Sequence, residues 1–246
     1  MKILLTNDDG IESSGLQGLK RRLQKHHDIW VVAPDGNRSA SSHSISLTNP
    51  VRIRDIGDQS FSCSGSPADC VLIALLGLLP TQIELVISGI NLGPNFGTDI
   101  VYSGTAAAAR QAALMATPAI ACSLDAFSAP FRFDYPVRFL EKNVELFRSL
   151  WVENHFLNIN FPNQPSVAQP LVTFPSRRIY NDKLVRFESP TGDLFCLIAG
   201  PAPESEREEG SDYWAVDRGF ISLSPILIHP TNHAVEEHYH TVSFRS

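Results

Sequence analysis

The sequence predicts an α/β fold: a mostly parallel, doubly wound sheet with helices on both faces, followed by an irregular, β-rich C-terminal extension. Short apolar runs alternate with amphipathic helical patterns up to residue 162, as in parallel sheets whose strands are joined by helices. Beyond that point prolines and short strand-like runs prevail. The chain has 246 residues, of which 43% are hydrophobic. We therefore expect one α/β domain over 1–246, with a core at 1–162 and an extension at 163–246 that packs on the core or on another subunit.

The composition disfavours several classes of partner. The formal net charge is −6, so we expect neither a nucleic-acid polymer nor an anionic membrane as the partner. The longest apolar stretch, 70–79, is about half as long as a helix that spans a bilayer. The first residues also lack the pattern of a secretion signal. We therefore expect a cytoplasmic protein, with widely spaced cysteines that are free thiols.

Two buried strands and the helix between them open the chain. The first strand begins at Lys2 and ends in the segment 7–10, which reads Asn-Asp-Asp-Gly. A helix with leucines at helical spacing follows over 14–25, and 29–33 form the second strand. These three elements predict a βαβ unit with a right-handed crossover.

The rest of the chain continues the alternation and then changes. The further predicted elements are an antiparallel ribbon at 51–63, a helix at 66–79, a strand at 85–88, a helix at 106–115, a strand at 118–124, a helix at 137–150, a strand at 156–161, and short strand-like runs at 179–180, 184–187, 195–198 and 220–223. The order of strands and helices up to 161 is what makes a doubly wound sheet the favoured architecture.

Polar side chains follow three of the predicted strands. Asp8 and Asp9 end the first strand, Ser39 lies in the loop after the second, and Asn91 follows the third. Because the carboxyl ends of parallel strands share one edge of a sheet, we expect these residues to converge there. Carboxylate, hydroxyl and amide oxygens are hard donors that suit Mg²⁺, Mn²⁺ or Ca²⁺. A cation would also offset the repulsion between two adjacent carboxylates.

An anion seat is predicted at the start of the alanine-rich helix. Ser103, Gly104 and Thr105 precede that helix and would present free backbone N–H groups beside hydroxyls. A phosphate could bridge from the cation to these donors, so an acidic protein needs no lysine-bearing phosphate loop, and the sequence has none. His43 is a candidate contact of the substrate, as a general acid for the leaving oxygen.

Each of these signals also has an ordinary structural explanation. Asn-Asp-Asp-Gly is good turn chemistry, Ser39 alone is more often a turn hydroxyl, and Asn91 alone is more often a left-handed turn residue. The common position at strand ends is what favours a site. The C-terminal histidines resemble a metal cluster only loosely, and we favour a solvated or interface tail for them; they are His229, His233, His238 and His240.

Several segments together resemble the SurE survival protein family, which consists of metal-dependent 5′-nucleotidases. The motifs are 7–10 (Asn-Asp-Asp-Gly), 32–39 (Val-Ala-Pro-Asp-Gly-Asn-Arg-Ser), 65–70 (Gly-Ser-Pro-Ala-Asp-Cys), 88–95 (Ser-Gly-Ile-Asn-Leu-Gly-Pro-Asn), 102–105 (Tyr-Ser-Gly-Thr), 212–216 and 219–222. The resemblance covers the first half of the chain densely and extends towards the end.

The resemblance implies a Rossmann-like core and hydrolysis of nucleoside 5′-monophosphates. It implies one divalent metal ion per subunit, Mg²⁺ or Mn²⁺, on Asp8, Asp9, Ser39 and Asn91, with Asn95 and the 103–105 turn at the phosphate. It also implies a homodimer or homotetramer assembled through C-terminal arms. We expect both Asp8 and Asp9 to be catalytic, with Asp8 as base or nucleophile and Asp9 as ligand; which of the two touches the substrate stays open.

Two other functions are compatible with parts of the sequence. A phospho-acceptor receiver domain also begins with a strand that ends in paired acids, but it needs an aspartate after the third strand, where this chain has Ser88 and Asn91. A non-catalytic module that binds nucleotide or phosphate is the second alternative. Phosphate release from nucleotides, with and without a chelator, separates both from an enzyme.

Overall fold

The computed structural model describes residues 1–165, 169–230 and 232–243. Its strands are β1 (Lys2–Thr6), β2 (Asp28–Pro34), β3 (Ile53–Gly57), β4 (Ser60–Cys63), β5 (Leu85–Leu92), β6 (Ala119–Asp125), β7 (His155–Pro162), β8 (Pro170–Val172), β9 (Arg178–Ile179), β10 (Lys183–Glu188), β11 (Leu194–Ala199), β12 (Glu204–Ser205) and β13 (Ile221–Leu227). Its α-helices are α1 (Ser14–Leu23), α2 (Pro67–Ile73), α3 (Gly104–Leu114), α4 (Asp134–Leu150), α5 (Asp212–Asp217) and α6 (His233–His240).

A twisted central sheet organises the described part of the chain, with strand order β3-β4-β2-β1-β5-β6-β7-β13-β8. The strands from β4 to β7 in this order run parallel, whereas β3 and β13 are antiparallel to their neighbours β4 and β7. The carboxyl ends of β1, β2, β5 and β6 therefore lie on one edge of the sheet, as the sequence predicts.

Helices cover both faces, which confirms the predicted fold class. On one face α1 and α4 bury their apolar stripes; Leu16, Leu19 and Leu23 of α1 are fully buried in that core. On the other face α2 and α3 pack against each other and the sheet. Helix α3 is rich in alanine because its backbone lies close to its neighbours, and Ala106, Ala108 and Ala109 are fully buried.

Part of the described segment after residue 162 belongs to the central sheet, and another part forms separate strand pairs. Strand β13 pairs with β7 and β8 pairs with β13, so the sheet continues past the predicted end of the core. In contrast, β10 and β11 form a separate hairpin, and β9 pairs with β12. The division into a core at 1–162 and an extension stays a prediction.

Three helical details differ from the sequence-based expectation. The predicted helix 66–79 is α-helical only to Ile73 and continues as a π-type turn at Ala74–Leu78, where Gly77 has a φ of 136°. The short helix α5, capped by the Ser211 hydroxyl, lies in a stretch with little periodicity, and α6 was likewise not predicted. Across the described residues, no helix combines the length and the apolar character that crossing a membrane requires.

Candidate metal and phosphate site

The turn after β1 presents two carboxylates at the carboxyl edge of the sheet. The Asn7 side chain closes this turn, because its Nδ2 donates to the Gly10 carbonyl at 2.8 Å and to the Ser13 hydroxyl at 2.7 Å. Gly10 has a φ of 101°, a conformation that favours glycine. Asn-Asp-Asp-Gly is therefore turn chemistry as well as a candidate site.

Asp8 is held at the N-terminus of α3. Its Oδ1 accepts a hydrogen bond from the Thr105 hydroxyl at 2.5 Å, and its Oδ2 accepts one from the Thr105 N–H at 3.2 Å. Burial raises the pKa of Asp8 above its usual range, and the hydrogen bonds from Thr105 oppose that shift. The carboxylate is therefore oriented and nearly excluded from solvent.

Asp9 is held beside the carboxyl end of β5, which carries Asn91. Its Oδ2 accepts a hydrogen bond from the Leu92 N–H at 3.1 Å, which places it next to Asn91. Burial, and then the charge of Asp8, raise the pKa of Asp9 to about 6. Asn91 uses its Nδ2 to donate to the Gly93 carbonyl at 2.7 Å, which leaves its amide oxygen available to a cation.

The loop after β2 is tied to both Asp8 and the segment before α3. The Arg38 N–H donates to the Asp8 carbonyl at 2.7 Å, so the residue before Ser39 contacts the carboxylate turn directly. The Ser39 N–H donates to Asn37 Oδ1 at 2.8 Å. Further along, the Ser42 N–H donates to the Tyr102 carbonyl at 3.0 Å. Ser39 is exposed, and its role as a ligand stays a prediction.

The residues present fit a hard divalent cation. Asp8, Asp9, Ser39 and Asn91 offer oxygen donors, and two partly buried carboxylates without a countercharge are costly. The Gly104 backbone lies close against Asp8 and Ser41, because a Cβ on Gly104 would meet the Asp8 Cβ and the Ser41 Oγ, each at 2.9 Å. Ser41 Oγ is buried and has no hydrogen-bond partner in the described part of the chain. An unpartnered hydroxyl beside a charged pair is a feature that a bound ion or phosphate would explain.

The N-terminus of α3 already binds an anion, and that anion is Asp8. The Thr105 N–H faces Asp8, while the Ala106 N–H is capped by the Ser103 hydroxyl at 3.0 Å. The N–H groups that the sequence suggested would be free are thus partly used within the protein. The Gly104 N–H also faces Asp8, whose pKa it lowers. The hydroxyl hydrogen of Ser103 remains as a donor for a phosphate, and the substrate roles of Ser103, Gly104 and Thr105 stay predictions.

Asn95 is held by two asparagines of β7. Its N–H donates to Asn160 Oδ1 at 2.8 Å, and its carbonyl accepts from Asn160 Nδ2 at 3.1 Å and from Asn158 Nδ2 at 2.9 Å. Its own Nδ2 donates to the Ser123 hydroxyl at 2.7 Å. One N–H of that nitrogen is thus used within the protein, and the second is the donor for a phosphate contact, which stays a prediction.

His43 is held against helix α3 through Gln111. Its Nε2 lies 2.9 Å from Gln111 Oε1, about two helical turns beyond the start of α3. A role as general acid stays a prediction. Of the C-terminal histidines, the side chains of His233 and His238 lie outside the described residues. Among the residues that are described, no three His, Cys, Asp or Glu side chains are grouped to hold a metal ion.

Several residues that shape the site were not identified from the sequence. Ser41 was hidden among neighbouring serines, and only its burial beside Asp8 distinguishes it. Asn158 and Asn160 did carry a signal, because two amides alternate on one side of an otherwise apolar, buried strand. Asp212 is fully buried and accepts the Gly97 N–H at 2.7 Å; its distance along the chain concealed that contact.

The fold and the site together define an α/β protein with an oxygen-rich candidate cation site at the carboxyl edge of a parallel sheet. The family model described as survival protein SurE matches residues 3–182. The chain belongs to the SurE family. This confirms the resemblance seen in the sequence and gives no support to a receiver-like domain.

Named relatives and a solved structure agree over nearly the whole chain. A 5′-nucleotidase SurE from Citrifermentans bemidjiense is 41% identical over 237 residues, covering 95% of this chain and 96% of the relative. One from Herpetosiphon aurantiacus is 38% identical and covers 94% of each chain. The crystal structure of the SurE protein from Aquifex aeolicus matches with a TM-score of 0.84 and 34% identity, covering 97% of this chain and 98% of the other.

Proposed function

We propose that this protein is a divalent-metal-dependent phosphomonoesterase that hydrolyses nucleoside 5′-monophosphates to the nucleoside and phosphate. The observation that carries the proposal is the pair of the buried Asp8 and the half-buried Asp9, held by Thr105 and by the Leu92 N–H at one sheet edge. The names of relatives at 36% to 41% identity, 5′-nucleotidase SurE, support the substrate class. The cytoplasmic location expected from the sequence is part of the proposal.

In this proposal Asp8, Asp9, Ser39 and Asn91 hold one divalent cation per subunit, Mg²⁺ or Mn²⁺. When bound, such an ion supplies positive charge that offsets the charge of a phosphate dianion and of the transition state. This accounts for phosphate binding by a chain whose formal net charge is −6. It also accounts for two adjacent carboxylates in a partly buried position.

The chain's own groups orient the substrate and handle the proton. The Ser103 hydroxyl donates a hydrogen bond to a phosphate oxygen, and its fixed position at the start of α3 favours charge that develops during transfer. Asp8 is fixed in direction by both bonds from Thr105, so its carboxylate can take a proton from an attacking water or attack phosphorus itself. In the second case water then hydrolyses the aspartyl phosphate, which releases phosphate and restores the carboxylate. Bond formation to phosphorus releases the 5′ oxygen, which leaves with a proton; His43 is the predicted acid.

The proposal is tested by phosphate release from AMP in Mn²⁺, in Mg²⁺ and after chelation. We expect release that depends on the metal. Asp8→Asn should lower kcat by at least about 100-fold without changing the circular dichroism spectrum, because it removes the proton acceptor. Asp28→Asn, at the exposed opposite end of β2, is the matched control and should stay within about twofold. A failure of wild type to release phosphate with any divalent ion would instead favour a nucleotide-binding module.

We also propose that the chain forms a homodimer or homotetramer through its C-terminal region. The hairpin of β10 and β11 exposes apolar side chains on both faces, among them Phe187 at 55% and Ile198 at 75% exposure. Phe187 and Phe195 stack on each other at 5.5 Å across the two strands. A two-stranded hairpin with so much exposed apolar surface is typical of a segment that another subunit covers.

A further inference from the structure

An exposed phenylalanine lies against the loop that carries Asn91 and Asn95. Phe127 follows the carboxyl end of β6, on the same sheet edge as Asp8 and Asp9, and its side chain is 80% exposed. A Cβ on Gly93 would lie 3.2 Å from Phe127 Cε1, so the ring is in direct contact with the backbone between the two asparagines. Gly93 has a φ of 100°, and the absence of a side chain there makes room for the ring.

The ring is carried by a loop that is anchored at its base to the same backbone. The Leu124 carbonyl accepts the Gly93 N–H at 3.1 Å and the Ala126 N–H at 2.7 Å, which ties the Asn91 loop to the residue before Phe127. At the far end, Asn163 Nδ2 donates to the Pro130 carbonyl at 2.9 Å, and the Arg132 N–H donates to Asn163 Oδ1 at 3.0 Å. Phe127 is therefore presented to solvent from a loop fixed at both ends.

We propose that Phe127 is the nucleobase platform of the site, on which the flat base of the substrate stacks. The inference rests on the proposed nucleotidase function and deepens it, because it assigns the residue that distinguishes a nucleotide from a phosphate ester without a base. An exposed aromatic face offers any base a stacking surface of similar strength, whereas hydrogen bonds would select one base. The platform therefore favours broad acceptance of nucleobases.

Placement relative to the phosphate supports this assignment. Asn91 is a proposed metal ligand, and Gly93, which the ring contacts, is two residues further along the same loop, so the ring lies within about 10 Å of that ligand. In a nucleoside monophosphate the ribose separates the base from phosphorus by several ångströms. A phosphate at Asp8, Asp9 and Gly104 can thus extend its base towards Phe127 along the sheet edge.

The test compares AMP with ribose 5-phosphate, which has the same phosphate and sugar but no base. For Phe127→Ala we expect the KM for AMP to rise about tenfold with kcat within twofold, because base stacking is lost. Hydrolysis of ribose 5-phosphate should stay within about twofold, and Phe127→Trp should retain the wild-type KM for AMP. Phe131→Ala is the matched control and should leave the KM for AMP near the wild-type value. Phe131 lies on the same loop, but its ring packs on that of Phe133, with the ring centroids 6.3 Å apart.

Two results would overturn the platform. Phe127→Ala could change both substrates by the same factor, as expected for a structural or subunit contact, or it could change neither. If wild type hydrolyses neither compound, the nucleotidase proposal fails, and calorimetric titration of AMP and ribose 5-phosphate in Mn²⁺ then decides the inference. A weaker affinity of Phe127→Ala for AMP alone supports stacking, and unchanged or equally changed affinities refute it.

Discussion

At the scale of single residues, the candidate site places two carboxylates and a hydroxyl in positions that are energetically unfavourable without a ligand. Asp8 and Asp9 are adjacent and partly or fully buried, and burial raises the pKa of both carboxyls. Ser41 Oγ is buried beside them without a partner among the described residues. Such local cost is typical of functional sites, because a protein optimised for stability alone would replace these groups.

Asp9 gives the metal-free protein a pH dependence of known sign. Its pKa is about 6 in the folded state and 3.8 in the reference state, so between these values the folded state binds more protons than the unfolded state. Its contribution to the free energy of unfolding therefore falls as pH rises from about 4 to 6. Thermal melts in chelator should show Asp9→Asn stabilised relative to wild type at pH 7.5 and little changed at pH 4.

Metal binding should reverse that order. Mn²⁺ should raise the Tm of wild type at pH 7.5 by mass action, and it should raise the Tm of Asp9→Asn much less, because a ligand has been removed. An equal rise for both proteins would show that Asp9 is not a ligand.

At the scale of elements, strand β7 holds the loop that carries Asn95 through two buried amides, which make different hydrogen bonds. Asn160 binds both the N–H and the carbonyl of Asn95, whereas Asn158 binds only the carbonyl and leaves its own Oδ1 without a partner in the described structure. A central strand thus acts as the fixed support, and the loop takes its shape from it.

Truncation of the two asparagines should therefore have different costs. Asn160→Ala leaves the buried Asn95 N–H unpaired and should lower the free energy of unfolding by about 1–3 kcal/mol. Asn158→Ala keeps one bond to the Asn95 carbonyl and removes an unsatisfied oxygen, so its cost should be smaller. Urea denaturation measures the free energy of unfolding of both variants. Equal costs, or a larger cost for Asn158→Ala, would contradict these roles of the two asparagines.

The elements also show which parts of the site the sequence can predict. Strand ends followed by polar loops located Asp8, Asp9 and Asn91, because the geometry of a parallel sheet brings such ends together. The sequence could not show which N–H groups at the N-terminus of α3 are already hydrogen-bonded within the protein. Whether the Thr105 N–H is free depends on a partner 97 residues away in sequence, and local pattern contains no information about that contact.

At the scale of the whole molecule, the fold class was predictable, including a β-rich C-terminal region, whereas the strand pairing within that region was not. Alternating periodicity up to residue 162 specified the layers, because each strand and helix buries one continuous apolar surface. The region after 162 mixes strands of the central sheet with a projecting hairpin. Both have similar composition, and only long-range pairing, such as β13 with β7, separates them.

The exposed hairpin leads to a prediction for the assembled protein. Phe187→Glu with Phe195→Glu places charge on the apolar surface of β10 and β11 and should lower the mass measured by light scattering to that of a smaller assembly. Lys142→Glu, an exposed position on α4 outside the hairpin, changes the net charge by the same amount and should keep the wild-type mass. A double variant with unchanged mass would show that subunits associate elsewhere.

The bond between Asp8 and Thr105 has a further consequence for how the site comes into being. It joins residues 97 positions apart, and the chain between them includes β2, α2 and β5. Closing so long a loop is slow and entropically unfavourable until the intervening strands have paired. We therefore expect the candidate cation site to be completed late in folding, and a growing chain to acquire it only after α3 has been synthesised and docked.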